Sequence, residues 1–263
     1  MQRTTAAVAL VAAMMVPGRA TPAQEPPRDP HAAQPERPTV ATHAGTVAPG
    51  WLELESGLEF DRGPGRDRNT LFGTLAKVGV SPHTQLSVFV AASAPRGAAG
   101  GIGDVAITYK WRVMEHDGLL GDVAIQPGLT LPTGSISRGT GTETTDASLL
   151  LISSRDVGPL HIDLNAGYTR RSGSGANAPR DQWVWTASFG GVLQAATGWT
   201  AEVFGYPGTG GPSGASPVTA VLAGPTYTAR RWLVFDVGVI VPVAGPQPHA
   251  LYAGATWNVG KGW

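Results

Sequence analysis

The stretch Asp104–Val113, DVAITYKWRV, decides the fold. Val105, Ile107, Tyr109, Trp111 and Val113 share one side of an extended chain, and Asp104, Ala106, Thr108, Lys110 and Arg112 share the other. Side chains alternate with period two only in a strand, so this segment is a strand with one apolar and one polar face. The same split returns in Gly121–Leu131, where Val123, Ile125, Pro127, Leu129 and Leu131 oppose Asp122, Ala124, Gln126, Gly128 and Thr130. It returns after Pro159, with Leu160, Ile162, Leu164, Ala166 and Tyr168 against His161, Asp163, Asn165, Gly167 and Thr169. Lipid outside and a polar interior inside is the setting that suits such strands.

Working outward, the pattern predicts strands at 51–60, 69–80, 84–92, 103–113, 121–131, 145–154, 159–170, 183–195, 198–206, 218–228, 232–241 and 250–259. Register stays open in the second, sixth and tenth, where apolar residues occur on both faces. The connections alternate between long Gly/Ser/Pro-rich gaps, such as Pro132–Thr144 and Arg171–Gln182, and mostly short ones, such as Ser81–His83 and Ala196–Thr197. Membrane barrels have long outer loops and short periplasmic turns, whereas a secreted β-sandwich has no reason to alternate them. Trp51, Trp111, Trp199, Trp232 and Trp257 fall at periplasmic strand ends and Trp183 and Trp185 at an outer one, as an aromatic girdle requires. Trp232 alone has the wrong parity. The expected fold is all-β: a transmembrane antiparallel β-barrel of about 12 strands with a disordered N-terminal segment.

Composition narrows the function. Thirty-six Gly, 22 Pro and 14% charged residues favour turns and extended chain over helix. Nineteen basic and 19 acidic side chains cancel without a basic block, which argues against nucleic acid as a partner. With no cysteine there is neither disulfide nor thiolate metal site. Arg3 followed by the apolar run Ala6–Val16 reads as a signal peptide over 1–23, cleaved near Ala20 or Ala23, and export together with the barrel pattern places the chain in the bacterial outer membrane. That run is too short to span a bilayer, and no later apolar run is long enough. Residues 24–50, rich in Pro, Ala and charge, read as an unpacked periplasmic linker in which His31 and His43 are solvated; the barrel occupies 51–263.

The inward face, assigned by parity, carries Glu53, Glu55, Glu59, Lys77, Asp104, Lys110, Arg112, Asp122, Gln126, His161, Asp163, Asn165 and Glu202. Opposite charges inside a narrow barrel either pair into a network that fills the lumen or line a solute path. His161, Asp163 and Asn165 invite a catalytic reading, with Ser148 and Ser188 as nucleophile candidates on adjacent strands. A Ser–His–acid device needs the His between the other two, and no Ser shares that face of the strand, so no catalytic residue is assigned. The six His are scattered singly, and the Gly clusters are not followed by a phosphate-cradling helix; no metal or cofactor is expected.

Three short motifs occur in order: Gly101–Ile102–Gly103–Asp104–Val105 opening a strand, Leu131–Pro132–Thr133–Gly134 closing the next, and Asn165–Ala166–Gly167–Tyr168 two strands on. With the Gly-Thr-Gly loop at Gly139–Thr142 they resemble the outer-membrane transporters of the MetA-pathway of phenol degradation family, over roughly Trp51–Trp263. The resemblance implies an outer-membrane barrel passing small, often aromatic or apolar, compounds, and implies no catalytic residues. Tyr252–x–Gly254–x–x–Trp257–x–Val259 is similar to the C-terminal signal read by the barrel-assembly machinery. Outer-membrane lipid, that machinery and a small solute are therefore the expected partners. The expected function is a channel working by passive or facilitated diffusion; the alternative is a closed barrel with a structural or surface-interaction role.

Overall fold

The computed structural model describes residues 29–63, 68–96 and 99–263, so the expected signal peptide lies outside the described residues. Twelve long strands carry the fold. They are β1 (Trp51–Arg62), β2 (Arg68–Ser81), β3 (Thr84–Pro95), β4 (Val105–Asp117), β5 (Gly121–Leu131) and β6 (Asp146–Val157). The second half comprises β7 (Leu160–Arg171), β8 (Asp181–Gln194), β9 (Thr197–Tyr206), β10 (Val218–Arg230), β11 (Leu233–Ala244) and β12 (His249–Lys261). Each runs antiparallel to its sequence neighbours, and β12 pairs with β1 from Trp51↔Lys261 to Arg62↔His249, which closes the sheet. A closed sheet has no unpaired edge, the condition for strands to cross lipid. Among the described residues no helix is long and apolar enough to cross a membrane.

Burial alternates as the sequence requires. In β1, Glu53, Glu55 and Gly57 are buried while Leu58, Phe60 and Arg62 are exposed. Exposed apolar side chains such as Phe72, Val88, Trp111, Leu149, Val237 and Leu251 make the outer wall. The three segments of open register resolve for a common reason: their extra apolar residues face into the lumen. Leu75 and Leu150 border an internal cavity, Ile152 is buried against Ala124, and Ala220 and Leu222 join Phe204, Ile240, Ala250 and Tyr252 in an apolar cluster. The ladder is interrupted between β4 and β5 at Pro127 and between β10 and β11 at Pro225, each a residue with no N–H to donate.

Residues 29–50 correct the reading of an unpacked periplasmic linker. The segment enters at the periplasmic end, where the Ala33 N–H donates to Arg231 O at 2.8 Å. It climbs into the lumen past Glu55, turns near Pro38–Val40 and descends past Asn165 and Ser154. It joins β1 at Gly50, whose N–H bonds Gly79 O at 2.8 Å. Ala41, Ala44 and Val47 are buried to 1% exposure or less.

This strap explains the anomalous Trp232. Trp51 and Trp232 meet the His31 ring, with centroids at 5.0 and 6.1 Å, and His31 Nε2 lies 3.1 Å from Asn258 O. These two tryptophans hold the strap's entry and do not belong to the girdle, while Trp111, Trp257, Trp183 and Trp185 are exposed on the wall.

The chain has no cysteine, so a single reporter can be introduced. Ala41→Cys should react with a water-soluble maleimide at least ~10-fold more slowly in folded protein than after denaturation. Labelling equally fast in both would show that the strap is not in the lumen.

Candidate functional site

A lone strap inside a barrel has no neighbouring strand, so its backbone donors need other partners. The wall side chains supply them. Eight strap N–H groups, those of Gln34, Glu36, Arg37, Val40, Ala41, Thr42, Ala44 and Val47, donate to wall side chains. Two carboxylates each grip consecutive amides: Glu55 takes Glu36 and Arg37 at 2.8 and 3.0 Å, and Glu202 takes Val40 and Ala41 at 2.8 and 2.7 Å. Asn165 acts as a substitute ladder partner, accepting the Thr42 N–H at 2.7 Å and donating to Thr42 O at 3.0 Å. Pro30, Pro35, Pro38 and Pro49 bring no donor that would need satisfying.

Charge locks the same geometry. Lys77, fully buried, pairs with Glu55, with Glu53 at 2.6 Å and with the strap carbonyl of Gln34 at 2.6 Å. Lys110 Nζ reaches Glu36 at 2.7 Å, the Thr42 hydroxyl at 2.9 Å and His43 O at 2.8 Å. Arg37 forms a two-pronged pair with Asp236 at 3.1 and 3.2 Å. Its guanidinium lies where side chains on Gly57 or Gly254 would sit. Burial pushes the Glu36 carboxyl up, but Lys110 and Lys77 outweigh burial and hold it below the ordinary carboxylate range. Burial, with the Lys110 charge behind it, depresses His43 and keeps it neutral.

The residues expected to line the lumen divide into three groups. Glu53, Glu55, Lys77, Lys110, Asn165 and Glu202 grip the strap directly. Asp163 acts one step back: its carboxylate accepts from Ser154 at 2.6 Å and meets His161 at 3.2 Å, and Ser154 Oγ receives the Ala44 N–H at 2.7 Å. Here Asp163 stands between Ser and His, the wrong order for nucleophile activation, and His161 turns its other nitrogen to Asp156 at 2.6 Å. Gln126 borders the cavity above the strap and Glu59 is a half-buried inward residue of β1.

Two expected residues sit at the barrel's ends, Asp104 at the outer one and Arg112 at the periplasmic one, where it borders a cavity beneath the strap. Asp104 precedes β4, and its carboxylate pins the outer loop through Gly134 N and Thr142 N at 2.8 and 2.9 Å. The side chain serves that loop because the Gly134 and Gly141 backbones pack closely there. Arg112 lies at the periplasmic end, bonded to Glu115 at 2.6 Å and Pro82 O at 3.0 Å, with Asp122 at 3.8 Å. Sequence reasoning missed Glu36, Arg37, Gln85 and Asp236, each of which contacts the strap or belongs to it.

The strap divides the interior. Above it, Leu75, Phe89, Gln126 and Leu150 face Pro38 and Val40 across a cavity of about 320 Å³. Below it, His43, Ser154, Asp122 and His161 border a polar cavity of about 350 Å³. Ala44 packed on Ala124 and Ile152 separates the two. Asp61, Asn69, Ser93, Arg68, Arg96 and Arg138 border an outer mouth of about 590 Å³.

A closed twelve-stranded barrel with a polar interior is the fold of outer-membrane β-barrel channels. The structure is similar to the COG4313 outer membrane channel from Pseudomonas putida F1, with a TM-score of 0.66 and 10% identity over 81% of this chain and 97% of that one. It is similar also to the KdgM porin in complex with disordered oligogalacturonate, with a TM-score of 0.55 and 12% identity over 78% of this chain and 98% of that one. No curated protein sequence matches the chain. The family model described as "Putative MetA-pathway of phenol degradation" matches residues 37–262, and the chain belongs to that family. The match begins at Arg37, inside the strap.

Two outcomes follow from the lock. Lys77→Met leaves Glu53 and Glu55 buried without their cation, which should cost about 3–5 kcal/mol and lower the temperature at which the folded band disappears in heat-modifiability gels. For His43, protonation costs more when the strap is docked, so docking is strongest above the ordinary histidine value of 6.5 and weakens as pH falls below it. The labelling rate of the Ala41→Cys variant with 2,2′-dipyridyl disulfide, divided by the rate of denatured protein at the same pH to cancel the thiolate fraction, should therefore rise from pH 7.5 to pH 5, and adding His43→Gln should flatten that rise.

Proposed function

We propose that this protein is an outer-membrane channel that moves small solutes, aromatic or apolar ones among them, by passive or facilitated diffusion through a lumen narrowed by its own strap. One observation carries the reading: the wall is built with room inside it, and a separate segment occupies that room. Gly57, Gly73, Ala124, Gly128, Gly167 and Gly254 stand at inward positions where a sealed barrel would place bulk. The closure is made of hydrogen bonds and ion pairs with few apolar contacts, a type of contact that can exchange with water.

The choice of solute is supported by the lining above the strap. Leu75, Phe89 and Leu150 offer apolar contact beside the polar groups of Gln126, Thr108 and the strap's Arg37, a combination suited to a small ring that carries polar substituents. Tyr206, half-buried against the buried Phe204 and Tyr252, adds aromatic surface on the opposite wall.

Single-channel recording in planar bilayers tests this reading. Wild-type protein should give small discrete steps that small aromatic solutes block. Arg37→Ala, which removes the Asp236 pair, should give larger steps or more frequent opening. Electrical silence from both proteins, once folded and inserted, would favour the sealed structural barrel.

A further inference from the structure

At the outer end of β12, β1, β2 and β3, three arginines and a histidine come together without a carboxylate partner among the described residues. Arg62 pairs in register with Arg68 on one side and with His249 on the other, and the Arg96 N–H donates to Arg68 O at 2.9 Å. All four residues are exposed. Alternation places Arg62 with Leu58 and Phe60, and Arg68 with Phe72, on the lipid-facing side; Glu59 and Asp61 have the opposite parity. Like charges directly opposite one another across two strands are destabilising. The contrast lies at β7–β8, where Arg170 faces its register partner Asp181 and binds both of its oxygens at 2.6 Å.

From this we infer that Arg62, Arg68, Arg96 and His249 form a binding site for the phosphorylated glycolipid headgroup of the outer leaflet. A phosphate between Arg62 and Arg68 converts a repulsive cross-strand pair into two charge-assisted contacts, with the guanidinium geometry that suits phosphate oxygens. The aromatic and aliphatic wall directly beneath, Phe60, Phe72 and Leu251, offers the same ligand a surface for its acyl chains. A free anionic solute would engage the cations only. The inference rests on the outer-membrane reading and adds a lipid site to it. Arg68 and Arg96 also border the outer mouth, so the competing use of these cations is to attract anions into the lumen.

The test is native mass spectrometry of folded full-length protein in detergent, titrated with bisphosphorylated lipid A and with its dephosphorylated form. Wild type should bind the phosphorylated lipid at least about tenfold more tightly, the scale of one charge-assisted contact. Arg62→Gln/Arg68→Gln should abolish that preference, Arg96→Gln should reduce it, and Arg170→Gln should leave it unchanged. Equal binding of the two lipids by wild type, or an unaltered preference in the double variant, overturns the proposal. So does a double variant that keeps the preference but changes only the anion selectivity of single channels, since the cations then serve the mouth. Insertion into phospholipid vesicles, followed by heat-modifiable mobility, checks the membrane reading separately: failure there refutes that reading, whereas insertion without lipid preference refutes only this site.

Discussion

Every residue of a strap that runs through a barrel brings a backbone donor or acceptor into a space with no adjacent strand, and each of those groups needs a partner. The rest of the interior follows from this need. Glu55 and Glu202 each grip two successive amides, Asn165 stands in for a ladder strand, and Gln85 and Ser154 complete the descent. The dependence is mutual. Without the strap these wall carboxylates would face one another across a narrow lumen with only Lys77 and Lys110 to balance them. With it, Glu36 and Arg37 enter the network and the amides supply the remaining donors.

Room for the strap is made by what the wall leaves out. Gly57 and Gly254 pair across β1 and β12, and the Arg37 guanidinium lies over them on its way to Asp236. A methyl group at either position would displace it. Apolar contact plays a small part, confined to residues such as Ala44 on Ala124 and Ile152. A segment held in this way is fixed in place by polar complementarity, and its release exposes groups that water can satisfy. That difference separates a strap from a hydrophobic core and makes a gated lumen physically reasonable.

Much of the barrel was legible in the sequence because strand periodicity is a local property. The alternation in Asp104–Val113 and its repeats located the strands to within a few residues, and the alternating loop lengths oriented them. The inward residues Glu53, Glu55, Lys77, Lys110, Asn165 and Glu202 were assigned by the same parity, since a side chain's face in a strand depends only on odd or even position. Parity failed where local context changed. Asp104 lies one residue before its strand begins, and Trp51 and Trp232 turn to His31 because the strap's entry offers a closer partner than lipid.

The sequence by itself determined a closed β-barrel, its strand count, its polar interior and its lipid-facing wall. Only the tertiary structure decided that residues 29–50 fill the lumen. Their Pro-rich, aperiodic composition is the same whether the chain is solvated or strapped, because in both states the backbone makes no regular internal hydrogen bonds. What differs is the identity of the partners, and those are side chains such as Asn165 and Glu202, which stand 123 and 162 residues away from the amides they hold. Contacts of that separation leave no periodic trace in either segment, so only the closed barrel brings them together.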